Sequence, residues 1–273
     1  MAYLLAAALG LIQGLTEFLP VSSSAHLLLA RAFFGWDPEQ FGLAFDVAVH
    51  VGTLGAVLWY FRADLGPLAA ATPAGLAGGG GARGRQVRAI AIGTVPIIIF
   101  GLLAAEAVEG PWRTPQVSVA TLSLGAVAML LVERLRSGAR VGGRGADGVT
   151  MLEALAIGCG QAAALVPGVS RSGAAIVVAM AFGVSRAEAA RFAFLLGIPA
   201  IAGAGLRQAL VVAAEGAGAG ASLGVYATGM VAAGVVGYLA VKHFIRYLVT
   251  YSLGPFAYYR LALAALVMVW LVA

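Results

Sequence analysis

The sequence predicts an all-α polytopic membrane protein of about ten helices, a single integral membrane domain over 1–273. It is read as two inverted-topology repeats, 1–133 and 150–273, each with a re-entrant helical hairpin. Composition is the first reason: 61% of the 273 residues are hydrophobic and 11% are charged, whereas a soluble domain is about one-quarter charged. Several apolar runs reach the ~20 residues that span a bilayer. The third reason is a repeat. Shifting the N-terminal part by 148 positions places Gly10 on Gly158, Gln13 on Gln161, Val21 and Ser22 on Val169 and Ser170, and Ser24 on Ser172. Phe34 and Gly35 then fall on Phe182 and Gly183, Asp37 on Ser185 and Gln40 on Glu188. One ungapped offset that aligns breaks, caps and polar positions together is the mark of a repeat architecture.

The first helix is predicted over 3–19, and Pro20 ends it because proline cannot continue a helix interior. A second helix, 22–35, is too short to span. Asp37 as N-cap, Pro38 at N1 and Gln40 at N3 start a helix over 41–61. A Gly/Ala/Pro-rich linker over 65–84 is expected next, followed by spans at 89–108 and 117–133. Glu106 and Glu109 fall at an interface, where they are expected to be solvated. Thr150 and Glu153 form a capping box that opens a helix running to Val166. Residues 167–173 break it, and a short helix to Phe182 follows. Ser185 and Glu188 form a second capping box, and the remaining spans are 186–210, kinked by Pro199, 222–241 and 256–273.

The net charge of +5 does not signal nucleic-acid binding, because the basic residues cluster between apolar runs, as membrane topology places them. The basic loops 62–88, 134–149 and 242–246 are expected to be cytoplasmic, and 109–116 and 211–221 outside. One hairpin then enters from each face, and the two breaks meet near the midplane, where ligand sites of such folds lie. The front of the chain carries no basic n-region and cleavage site of a signal peptide. The single cysteine, Cys159, excludes an intrachain disulfide and is expected to pack as a small apolar side chain.

At the meeting point the first break offers Gln13, Glu17, Ser22, Ser23, Ser24 and His26, and the second offers Gln161, Gly168, Ser170, Arg171 and Ser172. Gln13 and Glu17 share one helix face. A mid-membrane acid costs at least ~2.5 kcal/mol and marks function by default. Each break also starts a short helix, so two positive dipole ends converge, which suits an anion such as phosphate. Arg171 adds a planar cation fitted to phosphate oxygens. Glu17 could bind a divalent metal or handle protons, and His26 could be nucleophile or general acid. A carboxylate beside a phosphate calls for a proton or a metal between them, so metal dependence is expected, with Glu17 and Gln13 as ligands. Asp46 and His50, four apart on a membrane helix, either satisfy each other or serve the site.

The stretch Gln13-Gly-Leu-Thr-Glu17-Phe-Leu-Pro-Val-Ser-Ser-Ser-Ala-His26 resembles the Glu/Gln-x-x-x-Glu motif and its serine-histidine continuation in bacterial undecaprenyl-pyrophosphate phosphatases. Pro167-Gly-Val-Ser-Arg-Ser172 resembles that family's Pro-Gly-x-Ser-Arg-Ser-x-x-Thr motif. Phe45-Asp46 and Leu196-Gly-Ile-Pro199 extend the resemblance over essentially the whole chain. The motif's final threonine is Ala175 here. The resemblance implies hydrolysis of undecaprenyl pyrophosphate to the monophosphate and inorganic phosphate, recycling a lipid carrier for the cell wall. It also implies Mg²⁺ or Ca²⁺ dependence, bacitracin resistance on overproduction, and an active site in the bacterial plasma membrane open to the periplasm or exterior. Its partners are the lipid substrate and membrane lipids, and a homodimer is left open. By position, Glu17 looks catalytic, Gln13 takes the variable acid position, and Ser22, Ser23, His26, Ser170 and Arg171 look like active-site residues. Paired re-entrant hairpins are also transporter anatomy, so a flippase of the monophosphate lipid is the alternative.

Overall fold

The computed structural model describes residues 1–36, 41–104, 107, 110–136, 143–215 and 222–272. Among them, eleven α-helices and no β-strand are found: α1 Ala2–Phe18, α2 Ser23–Phe34, α3 Leu43–Tyr60, α4 Arg62–Leu76, α5 Gly81–Leu103, α6 Pro115–Arg136, α7 Met151–Ala163, α8 Arg171–Ala181, α9 Arg186–Glu215, α10 Leu223–Thr250 and α11 Gly254–Val272. Five of these, α5, α6, the Arg186–Arg207 part of α9, α10 and α11, are long and apolar enough to cross a membrane. Helices α3 and α4 make a further bent pair, turned by 85° at Phe61. The chain is a multi-pass membrane protein whose outer helix faces carry Leu11, Leu15, Ile98, Leu102, Leu124, Val127, Val231 and Val235 exposed. That is the surface a hydrocarbon solvent selects.

Both predicted hairpins are present. Helix α1 ends at Phe18, and α2 begins at Ser23. Helix α7 ends at Ala163, and α8 begins at Arg171. Their first helices pack by the same device. A Cβ on Gly10 would stand 2.4 Å from the Gly229 carbonyl oxygen, and one on Gly158 would stand 2.1 Å from that of Gly93. Glycine is thus what lets α1 lie against α10 and α7 against α5, the close backbone approach typical of membrane helix pairs. Gly52 does the same for α3 against α10, 2.1 Å from the Met230 oxygen.

Several element boundaries differ from expectation. The 65–84 linker is mostly helix α4: alanine-rich sequence tolerates Pro67 and Pro73 within it, and Leu68 anchors it in the core. Arg88 clasps its end, donating to the carbonyls of Gly75 at 2.6 Å and Gly79 at 3.1 Å. Helix α5 starts at Gly81, eight residues before the predicted 89, so Arg83, Arg85 and Arg88 are helical. Helix α10 runs on to Thr250, so Lys242 and Arg246 belong to a helix and not to a loop. The predicted start at 37–40, together with Glu106 and Glu109, lies outside the described residues. The Thr150 capping box forms as expected. The Ser185 box does not: Glu188 accepts from the Ala146 N–H at 3.3 Å, and the Ser185 N–H donates to the Arg144 carbonyl at 3.1 Å. Cys159 is exposed on the outer side of α7 and not packed inside.

Candidate active site

Each break places a serine in a conformation that L-residues rarely adopt. Ser22 has φ 73° and Ser170 φ 69°, the two non-glycine residues of positive φ among those described. Both stand as N-cap of the short helix that follows. The Ser22 and Ser24 hydroxyls lie 3.2 Å apart, and the Ser170 and Ser172 hydroxyls 3.3 Å. Ser170 also accepts the Gly173 N–H at 3.2 Å, a side-chain cap. Strained backbone of this kind costs about 1–3 kcal/mol and persists at sites that need a particular geometry.

The two breaks meet. The Arg171 guanidinium bonds Glu17 Oε1 across 154 residues of sequence, and the Ser172 hydroxyl donates to the Leu19 carbonyl at 3.3 Å. The Glu17 side chain is only 4% exposed. Its other oxygen, Oε2, accepts from Gln13 Nε2 at 2.8 Å and from the Ser23 hydroxyl at 2.6 Å. Nε2 of His50 stands 3.4 Å from the same oxygen. His50 Nδ1 lies 2.6 Å from the Asp46 carbonyl, which can only accept, so Nδ1 carries a proton and Nε2 is the nitrogen turned to Glu17. The assembled group is therefore Gln13, Glu17, Ser23, His50 and Arg171.

Other predicted residues sit elsewhere. Nδ1 of His26 bonds the Ser22 carbonyl at 2.7 Å, and its Nε2 bonds the Tyr259 hydroxyl at 2.7 Å, with the two rings stacked. Both ring nitrogens are thereby engaged away from Glu17. Ser24 is exposed. Gln161 is fully buried with neither amide atom paired. Gly168, at φ 93°, leaves no room for a side chain: a Cβ there would stand 2.0 Å from Thr121 Oγ1. Ala175, in the motif's threonine position, is fully buried in the core.

Arg260 of α11, 0% exposed, was not singled out by the sequence reading. Its guanidinium donates to five carbonyls: Leu122 at 3.1 Å, Pro20 and Val169 at 3.2 Å, Thr121 at 3.0 Å and Gly168 at 2.8 Å. One side chain thus ties the first break, the second break and α6 together. Its signal was an arginine inside an apolar run, which is expensive and hence placed for a reason. Of the two readings left open for Asp46 and His50, His50 serves the site, with Nε2 3.4 Å from Glu17 Oε2. The Asp46 carboxylate holds Arg31 and Arg113.

Among the described residues no three His, Cys, Asp or Glu side chains cluster as a metal centre. The oxygens beside the site still suit a hard cation. Gln13 Oε1 is buried without a partner, and it sits on the same amide that binds Glu17. Mg²⁺ and Ca²⁺ take such oxygens, and Mg²⁺ needs only one or two protein ligands when phosphates complete its shell.

Comparison with known proteins gives a consistent result. The sequence model of a family described as bacitracin resistance protein BacA matches residues 6–266. The undecaprenyl-diphosphatase of Rubrobacter xylanophilus is 47% identical over 267 residues, 95% of this chain and 94% of that protein. That of Hahella chejuensis is 42% identical over 279 residues, 99% of each chain. That of Geobacter sulfurreducens is 42% identical over 269 residues, 98% of each chain.

Proposed function

The chain belongs to the bacitracin resistance protein family, and from that premise we propose that it is a membrane undecaprenyl-diphosphatase. It hydrolyses undecaprenyl pyrophosphate to the monophosphate and inorganic phosphate, returning the lipid carrier to cell-wall synthesis. The observation that carries the chemistry is the 2.6 Å bond from the Ser23 hydroxyl to Glu17 Oε2, with Arg171 on the other carboxylate oxygen. A hydroxyl already donating to a carboxylate is the arrangement of an activated nucleophile and its base.

In the proposed reaction Ser23 Oγ attacks the terminal phosphorus and its proton passes to Glu17. The bond from that phosphorus to the bridging oxygen breaks, and the lipid monophosphate leaves, taking the proton held by Glu17. Water then attacks the phosphoserine phosphorus and gives its proton to Glu17; the bond to Ser23 Oγ breaks, Oγ takes that proton back from Glu17, and orthophosphate departs. Arg171 transfers from Glu17 to the phosphate oxygens as the substrate arrives, a bidentate clamp that substitutes for the ion pair. Gln13 orients the carboxylate, and the Ser22 and Ser170 helix starts aim backbone N–H groups and positive dipole ends at the anion. Ser24, Ser172, Gly168 and Gln161 line or shape the two breaks around it. His26, held between the Ser22 carbonyl and the Tyr259 hydroxyl, lies at the edge of the first break. Glu17 and Gln13 would hold Mg²⁺ or Ca²⁺, which when bound offsets the repulsion between carboxylate and phosphate.

The matched strain of Ser22 and Ser170 and the matched glycine contacts of Gly10 and Gly158 support reading 1–133 and 150–273 as repeats of opposite topology. In that reading the site lies in the bacterial plasma membrane and opens to the periplasm or exterior. The test is orthophosphate release by purified protein in detergent, with and without chelator. Turnover that requires Mg²⁺ or Ca²⁺ is expected. Absence of turnover, with protein-dependent lipid movement in vesicles, would replace the phosphatase with a carrier.

A further inference from the structure

Beyond Glu17 the polar groups continue along α3. His50, whose Nε2 faces Glu17, rests its Nδ1 on the Asp46 backbone, so the Asp46 side chain is one imidazole and one helical turn away. Its carboxylate is shared by two guanidinia. Arg31 of α2 grips both oxygens, and Arg113, in the turn before α6, adds a second bond to Oδ2. The Arg31 Nε is buried and donates to nothing. Asp46 carries 10% side-chain exposure and Arg31 11%, whereas Arg113 is 31% exposed. Among the described residues the cluster is thus two cations on one anion, closed within the protein on one side and open through Arg113 on the other. The two arginines meet in this carboxylate a pair of anionic oxygens such as an orthophosphate also offers, and among the described residues two cations share one anion, which leaves charge for a further anion to join.

The geometry points to a second anion site, in which Arg31 and Arg113 receive the phosphate cleaved at Glu17 and Asp46 competes with that phosphate for them. The assignment rests on the phosphatase reading for the source of the anion, but not for its chemistry, which is that of inorganic phosphate at two guanidinia. It gives Asp46 a role opposite to that of a structural counter-ion. As internal competitor it keeps phosphate binding weak enough for release, and the part-exposed Arg113 marks the way out.

The experiment is direct binding of inorganic phosphate to the purified, detergent-solubilised protein by calorimetry, alongside turnover on the lipid diphosphate. Arg113→Gln, in a part-exposed turn, is expected to weaken phosphate binding at least tenfold. Asp46→Asn is expected to tighten it at least threefold, a direction that a damaged fold does not produce. Orthophosphate inhibition of turnover should follow the same two directions, while inhibition by the lipid monophosphate, held at Arg171, stays as in the wild type. Weakened binding in both variants would make the cluster a structural tie, and unchanged binding in both would remove the site; either result overturns the proposal. Phosphate binding that obeys both directions in a protein without turnover would instead leave the anion site standing and remove the phosphatase reading.

Discussion

Replacing Arg260 by lysine keeps a positive charge but leaves three donors where five carbonyls are bound. At least two of the bonds to Pro20, Thr121, Leu122, Gly168 and Val169 are lost, in a position with no exposure to water. A hydrogen bond is worth about 0.5–1.5 kcal/mol net, so the loss is about 1–3 kcal/mol. Membrane proteins return smaller figures for single hydrogen bonds, about 0.6 kcal/mol on average, and two such bonds set a floor near ~1 kcal/mol. At about 2–4 °C per kcal/mol for a chain of this size, the thermal midpoint in detergent should fall by at least ~2 °C. Size-exclusion chromatography after a heating series reads this directly. Turnover should fall at least tenfold below the midpoint as well, because the carbonyls released are those that hold both breaks in place. A midpoint within ~1 °C of wild type, with full activity, would refute the view that Arg260 ties the breaks together.

Two other substitutions test separate parts of the account. Arg171→Lys retains charge but loses the planar fork, and turnover should drop at least ~10-fold, about 1.4 kcal/mol of transition-state stabilisation; equal activity would make Arg171 a general electrostatic anchor. Gly158→Ala puts a Cβ 2.1 Å from the Gly93 carbonyl oxygen, so α7 must shift off α5 at a cost of about 1–3 kcal/mol, read as a lowered midpoint in detergent.

What the sequence made legible follows from where its chemistry is local. Both breaks were visible because proline, glycine and serine at 20–24 and 167–173 stop one helix and cap the next within a few residues. The meeting of the breaks was visible because the repeat and the charge pattern together require it. Helix α4 was hidden by Pro67, Pro73 and five glycines between 66 and 80, which read as loop, yet its alanines and Leu68 hold a helix against the core. The ends of α5 and α10 were hidden because arginines and lysine near a membrane surface look like loop residues while remaining helical. Arg260 could not be assigned partners, since its acceptors are backbone carbonyls as far as 240 residues away. The spacing of Asp46 and His50 could not decide between a mutual pair and a role in the site: the i, i+4 contact is with the Asp46 backbone, distant arginines take the carboxylate, and His50 turns to Glu17.

The central claim is that the Glu17 carboxylate, reached by Ser23 from one break and Arg171 from the other, carries out the phosphate chemistry. Orthophosphate release by purified Glu17→Gln at saturating Mg²⁺ tests it most directly, because the amide keeps size and hydrogen bonding while removing the charge. The account predicts a folded protein, eluting as wild type, with no detectable release, and a smaller loss for Gln13→Ala. Near-wild-type release from Glu17→Gln would contradict it.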